Sequence, residues 1–511
     1  MKSHCVSHAI GTTALVAVCS AISTTVAQAQ VFELDLDGTR EGRADGRTIV
    51  AELGPGATLR KPGEGGGVEP GDQGPAVTVP VPDGLWRSTG TLACWFRPSR
   101  TIRFTSDPKG KPGRVSLVDC PVLRADLSED RRHPVLRLSV AAAGDYKPKG
   151  TIFWSHLKGG QWYHLALAWD AAQGRLEAYL NGVLQQEPRL RDAGRPWEAP
   201  AGPSGPLRLG GSLAGGGHPA KIAVRSVAVY PRFLDERAMA TAMRARDVAP
   251  LDGEGRTDYA GSLDLAPYRL TPVYEADFTK PLDVVHEDEL FEGDRRARLP
   301  KGKDWVFEGP GRAWTDGGRL HIESFKPQEA GHVVLWSTRV FPDDFLLEFG
   351  VSPKDSENGL NIVFLCAGSR AGGGIFDLDL PHRGGVFKNY HSGALNSYHV
   401  SYWACAAAAH GGVPRRTANV RKNQGFYLVG CGIDRIAGEG PGPHRVRVLK
   451  VGGKLRVETR GRIAAAFDDD GSTYGPVWGS GAIGLRQMGH THQARYTHFQ
   501  VWKVEARDAG R

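Results

Sequence analysis

Between Gly374 and Phe426 the chain concentrates Asp377, Asp379, His382, Arg383, Lys388, Tyr390, His391, Asn396, Tyr398, His399, Tyr402, Arg421, Lys422 and Asn423 among short apolar stretches. A wet sheet face carries its polar residues singly, so this density marks a concave face that grips a polar ligand. The residue types suffice for β-elimination beside a carboxylate. That reaction needs a donor to neutralise the carboxylate, a base for the proton α to it, and an acid for the departing oxygen. Arg421 with Asn423 or Asn396 can neutralise, His391 or His399 can take the proton, and Tyr398 or Tyr402 can return one. Lys388, Lys422 and His490 add binding capacity, His490 by lining the same cleft as His391.

Other chemistries compete for the same stretch. Asp377 and Asp379, two apart in an expected strand, would point to one face and perturb each other's protonation, as the paired acids of a glycoside hydrolase do; no third acid stands nearby. Alternatively they anchor the arginines beside them or hold a cation. The run Asp468-Asp469-Asp470-Gly471 could hold calcium, because hard cations want several carboxylate oxygens. Gly489-His490-Thr491-His492 offers two imidazoles but lacks the three or four protein ligands zinc usually takes. The expectation is therefore no metal site and no required cofactor, with calcium as the one ion to consider. A purely structural reading also stands: tyrosines bonded to backbone at a sheet edge, Arg421 and Lys422 on a solvated turn.

The elements that position these residues are strands. In Asn396–Trp403, alternation puts Asn396, Tyr398, Val400 and Tyr402 on one face and Ser397, His399, Ser401 and Trp403 on the other. Neither set is cleanly apolar, which fits a strand lining a cleft. With 511 residues, 67 of them Gly and 33 Pro, and almost no long helical periodicity, the chain reads as all-β with room for two or three cores.

Two halves share one grammar: residues 31–247 and 272–504, joined by a Gly/Pro/charge-rich linker at 248–271. Trp162–Asp170, a turn at Ala171–Gly174 and Arg175–Gly182 form a hairpin in the first. His444–Lys450, Val451–Gly453 and Lys454–Gly461 form one in the second. Trp95, Trp162 and Trp169 alternate with apolar residues and are expected in the core. One helix is predicted, Asp235–Met243, capped by Asp235.

Residues 1–29 have the form of a secretory leader: Lys2, an apolar run around Ala14–Ala17, and Ala27-Gln28-Ala29 as the cleavage site. Val18 before Cys19 is too bulky for a lipoprotein signal. No later run is long enough to span a bilayer, so the expectation is an exported protein, periplasmic or extracellular, without membrane insertion. The net charge of +8 comes from scattered Lys and Arg with no nucleic-acid-binding motif. Such a charge aids solubility and can attract an acidic polymer. Beyond the leader, Cys94, Cys120, Cys366, Cys405 and Cys431 are too few for a disulfide framework. Buried thiols are expected, although Cys405 and Cys431 could bridge.

The first half resembles the laminin-G-like, concanavalin A-type jelly rolls in Gly90–Pro98, Trp162–Asp170, Tyr179–Gly182 and Val224–Tyr230. The second resembles the YesU-like domain-of-unknown-function family in Ile375–Pro381, Phe387–Gly393, Asn396–Trp403 and Asn419–Phe426. These resemblances imply two tandem concanavalin A-like jelly-roll β-sandwiches and a saccharide ligand; fold alone does not fix function. Together with the residue types they lead to an exported lyase acting on an acidic, uronic-acid-containing polysaccharide or oligosaccharide. The alternatives are a non-catalytic carbohydrate-binding protein and a hydrolase using Asp377 and Asp379.

Overall fold

A computed structural model describes residues 32–507 apart from 45, 82–83, 103–113, 130–133, 143–144, 154–156, 158, 182, 186–195, 200–203, 214–219, 236–237, 240–260, 326–330, 356–357 and 406–416. The leader and most of the expected linker lie outside the described residues. The rest is built mainly of antiparallel sheets in two face-to-face pairs, with one parallel pairing at the edge where Val284–His286 joins Trp305–Glu308, and no described sheet draws strands from both halves.

In the first pair, the central strands Tyr163–Asp170, Thr89–Pro98 and Ala220–Tyr230 are buried almost throughout. Their inward alternation supplies Leu92, Cys94, Phe96, Leu165, Leu167 and Trp169 to one core. The expected hairpin is present, with Asp170 opposite Arg175 and the left-handed turn position taken by Gly174 at φ 64°. Trp95 and Trp169 are buried, but Trp162 is only half-buried, its indole N–H donating to the Gly65 carbonyl at 3.3 Å. Asp235 Oδ1 accepts from the Ala238 N–H at 2.8 Å, as the predicted cap requires. Leu234 and Met239 pack there against Tyr179, on the side of the sheet away from the main core.

The second sandwich faces two eight-stranded sheets across a core that includes Leu347, Phe349, Leu365, Val400, Tyr402 and Phe499. The site-bearing sheet runs Val284–His286, Trp305–Glu308, Val333–Ser337, Ala482–Gln487, Leu360–Ser369, Leu395–Ala404, Thr417–Asn423, Tyr427–Ile433. In the other sheet, His444–Val451 turns at Gly452 into Lys454–Thr459, the second expected hairpin. This sandwich takes in chain before residue 272. Tyr268–Glu275 is already a strand, and the Leu263 N–H donates to the buried Glu458 at 2.8 Å. Apolar Leu263, Leu265 and Leu270 were hidden in a stretch that composition marks as linker, and burial against Leu346 and Ile463 fixes them.

Cys94, Cys120 and Cys366 are buried thiols, and burial pushes the Cys94 thiol up to about 12. Cys405 is buried too, while the side chain of Cys431 lies outside the described residues. No helix among the described residues is long and apolar enough to cross a membrane.

Candidate functional site

The site-bearing sheet has one face in the core and one turned away from it, and period-two alternation decides which side chains each receives. Tyr398, Val400 and Tyr402 enter the core with Ala418, Val420, Val363, Leu365, Ile483 and Leu485. Ser397, His399, Ser401, Arg421, Asn423, Phe364, Trp336, Gly484 and Arg486 alternate with them onto the far face. The register lines up Trp336, Gly484, Phe364, His399 and Arg421 across five neighbouring strands. Gly484 is required in that row: a Cβ there would lie 2.3 Å from the Trp336 ring, which stacks on Phe364 with centroids 5.2 Å apart.

Residues 370–394 fold over this face and bury Ile375, Leu380 and Tyr390 against Trp336, Ile362 and Phe364. Arg383 locks the segment in place. Its guanidinium is ion-paired with Glu308 and donates to the Ile375 carbonyl at 3.0 Å. The Tyr390 hydroxyl donates to Glu308 at 2.6 Å, and Glu287 accepts from the Gly384 N–H at 2.8 Å while pairing with Arg296, also at 2.8 Å. Burial, then the neighbouring Glu308, pushes the Glu287 carboxyl above its ordinary range.

This segment corrects the reading of Asp377 and Asp379. Residues 374–386 are turns, not strand, so the two acids do not share a strand face. Asp377 accepts from the Gly374 N–H at 3.1 Å and closes its own turn; Asp379 is exposed. The run Gly372-Gly373-Gly374 before them and Pro381 after them were the signal for turns. Lys388 is also exposed, on the helical turn Phe387–His391.

That helical turn delivers His391 to the same surface as His399 and Arg421. The His391 ring lies between Phe387 and Phe426, at 4.4 and 4.7 Å between centroids, and its Nδ1 is 2.6 Å from the Ser392 hydroxyl. Phe426 also meets His399 at 5.6 Å, and the Arg421 guanidinium sits 4.0 Å over its ring while donating to its carbonyl at 3.0 Å. Asn423, two residues along from Arg421, donates to the Ser397 hydroxyl at 3.1 Å. Burial, then the charges of Arg421 and Arg486 and the nearby His391, hold His399 well below the usual imidazole range, so it is neutral at neutral pH.

Arg486 was not among the expected residues. Its strand, Ala482–Gln487, is buried throughout and reads as an ordinary core strand; the signal was one arginine inside it, two residues after a glycine. The side chain is fully buried between the rings of Tyr390, Phe387 and Phe364, at 4.6, 5.0 and 5.8 Å, and none of its three guanidinium nitrogens has a hydrogen-bond partner. Burial lowers its pKa to about 10, which leaves it charged at neutral pH. Half-buried His332 stands close by, lowered to about 4 by burial and then by Arg486 and His490. Its Nδ1 accepts from the Gly489 N–H at 3.1 Å, so the neutral ring carries its proton on Nε2. His490 therefore belongs to this neighbourhood, on the short helix Gly489–Thr491 rather than on a strand.

Tyr398, Tyr402 and Lys422 do not reach this face. The Tyr402 hydroxyl is 3.4 Å from that of Tyr496 inside the core. Tyr398 donates to Asp469 at 2.5 Å, and Lys422, wholly buried, pairs with the same carboxylate at 2.7 Å. Burial lowers the Lys422 pKa, and Asp469 opposes that shift. The groups read as acid and binding residue are a buried lock inside the sandwich, because the aromatic bodies and long lysine stem satisfy the inward face. Asn396 is half-buried, opposite Gly368 and on the alternation of Tyr398.

The acidic run is dispersed as well: Asp468 pairs with Arg456 at 2.7 Å, Asp469 with Lys422, and Asp470 accepts from the Thr473 N–H at 2.7 Å. Among the described residues no three His, Cys, Asp or Glu side chains are grouped to hold a metal ion.

Residues 298–501 match the family described as Domain of unknown function (DUF1961), and residues 71–238 match the Concanavalin A-like lectin/glucanases superfamily. The uncharacterized protein YesU of Bacillus subtilis (strain 168) is 35% identical over 207 residues, 40% of this chain and 91% of that protein. A Bacillus subtilis protein of unknown function with a galectin-like fold is 30% identical, covering 47% of this chain and all of the other, with a TM-score of 0.39. The carbohydrate binding module CBM66 from Bacillus subtilis is 14% identical over 39% of this chain and 94% of its own, with a TM-score of 0.26. The two family matches thus fall on separate sandwiches, the concanavalin A-like one on the first and the DUF1961 one on the second.

Proposed function

The chain belongs to the DUF1961 family, and on that premise we propose that its second sandwich is a glycan-active domain, exported with its companion, that cleaves an acidic polysaccharide by β-elimination. The observation that carries this reading is the convergence of His391, His399 and Arg421 around Phe426 on the far face of one sheet. It supplies cations and imidazoles with an aromatic wall, the combination a uronate residue needs.

In the reaction, the base takes the proton on the carbon α to the sugar carboxylate, the C–O bond at the β-carbon breaks, and a C=C bond forms between the two carbons. Arg421 stabilises the negative charge that builds on the carboxylate. His391, 9% exposed against 3% for His399, meets the incoming sugar first and takes the proton. No tyrosine of the core is available to return it, since Tyr398 and Tyr402 lie behind the sheet. His391 itself returns it to the leaving oxygen, which a syn elimination permits. A bound carboxylate offsets the field of Arg421 and Arg486 and so raises the basicity of His399 beside it.

Non-catalytic binding is the second reading, and the packing of Phe387 and Phe426 around His391 and Arg421, an aromatic and cationic surface that binds without chemistry, favours it. Hydrolysis finds less support, because Asp377 is committed to its own turn. Mixing the full chain with uronic-acid polymers and recording ultraviolet absorbance separates these readings. Elimination generates a conjugated, unsaturated sugar end; binding generates none, and hydrolysis generates reducing ends without unsaturation.

A further inference from the structure

Arg486 presents a buried fork of unanswered hydrogen-bond donors. Two buried carboxylates in this region, Glu287 and Glu308, face three buried guanidinium groups, Arg296, Arg383 and Arg486. Glu287 is paired with Arg296, and Glu308 with Arg383 and the Tyr390 hydroxyl. Arg486 is left with three aromatic rings and no acceptor for any of its nitrogens. Ring contacts engage the π-clouds and leave the N–H donors unused. A buried cation without a partner is costly, and a planar fork of donors matches a carboxylate in shape as well as charge.

We propose that Arg486 is the seat of one sugar carboxylate, so that the ligand of this face is a uronic acid bound through its carboxylate at the guanidinium. The proposal rests on the reading of this face as a glycan site, and names the group by which the glycan is recognised. Phe387 stands at the approach: its ring contacts Arg486 at 5.0 Å and His332 at 6.2 Å, and both Phe387 and His332 are half-buried. The carboxylate enters as that ring turns aside, and the neutral His332, with its proton on Nε2, adds a donor near the cation. Arg421, on the third strand over from that of Arg486, is then a second neutralising group rather than the sole one.

The test uses the full chain in an anion-poor buffer, with glucuronate, acetate and glucose as probes and thermal unfolding and calorimetry as readouts. Glucuronate should raise the melting temperature and bind at least about tenfold more tightly than acetate, while glucose at the same concentration should do neither; a tenfold difference corresponds to about 1.4 kcal/mol. Arg486→Met should abolish the glucuronate response. Should that variant fail to fold, Arg486→Lys keeps the charge without the two-pronged donor and should weaken glucuronate at least tenfold. An undiminished response in a folded variant, no response in the wild type, or equal binding of acetate and glucuronate overturns the assignment. If the wild type and Arg486→Met eliminate on a polymer at the same rate, this seat is wrong and the lyase reading stands. If Arg486-dependent glucuronate binding occurs without unsaturated products from any polymer, the seat stands and the lyase reading fails.

Discussion

His399 and Arg421 lie directly opposite each other on adjacent antiparallel strands, and Phe426 contacts both side chains at 5.6 and 4.0 Å. An imidazole held neutral and a guanidinium held by an aromatic ring thus share one surface, with His391 4.7 Å from the same ring.

Truncating Arg421 to alanine should lower turnover on an acidic glycan by on the order of 10²-fold, as loss of one charge-stabilising donor does. Steady-state rates of unsaturated-end formation check this. A variant as fast as the wild type removes Arg421 from the mechanism.

His391→Ala should abolish turnover while glycan affinity changes less than about threefold, because a base acts mainly in the transition state. Calorimetric titration beside rate measurement makes the comparison. Loss of binding in step with loss of rate would assign His391 to holding the substrate alone.

The buried lock behind the sheet should respond in stability rather than rate. Lys422→Met leaves the buried Asp469 carboxylate with the Tyr398 hydroxyl but without its counter-charge, and should cost about 3–5 kcal/mol. Tyr402→Phe should leave turnover within about twofold of the wild type. Denaturant melts and rates on the same preparations distinguish the two roles. A large rate loss in Tyr402→Phe at unchanged stability would return that hydroxyl to the chemistry.

Folding should weaken on acidification. His332 falls from 6.5 to about 4 on folding, and His399 is also lowered. The unfolded chain therefore binds more protons than the folded one in that window, so this stability is full above 6.5 and is lost as pH falls through about 4. His332→Gln should flatten the slope of melting temperature against pH between those values; an unchanged slope would contradict the His332 contribution.

Two tandem sandwiches, both glycine-turn hairpins and the alternation of Asn396–Ser401 were legible in the sequence, because period two and turn chemistry are local; a register shift after Ser401 puts Trp403 in the core beside Tyr402, against the expected alternation. Which face of that strand looks inward was not. Tyr398 finds Asp469, and Tyr402 finds Tyr496, only after the chain has returned to the sandwich, so the choice rests on partners distant in sequence. Arg486 escaped for a related reason. Burial on both sides of Ala482–Gln487 comes from the covering segment 370–394 as well as the core, and no local pattern announces that cover.

The domain boundary carries its own expectation. Limited proteolysis should cut within 248–260, the first part of the composition-marked linker 248–271, and spare the chain from Gly261 onward, because Leu263 is tied to Glu458 and buried on the second sandwich. Cleavage inside Tyr163–Leu180 ahead of the linker would refute that boundary.

Elimination on an acidic glycan is read out by an ultraviolet absorbance scan of the full chain mixed with a panel of uronic-acid polymers and neutral controls, with product masses read alongside. Absorbance should rise and unsaturated ends should form on at least one acidic polymer and on no neutral one. Acidic polymers that are bound but left intact, or cut to saturated reducing ends, would contradict it.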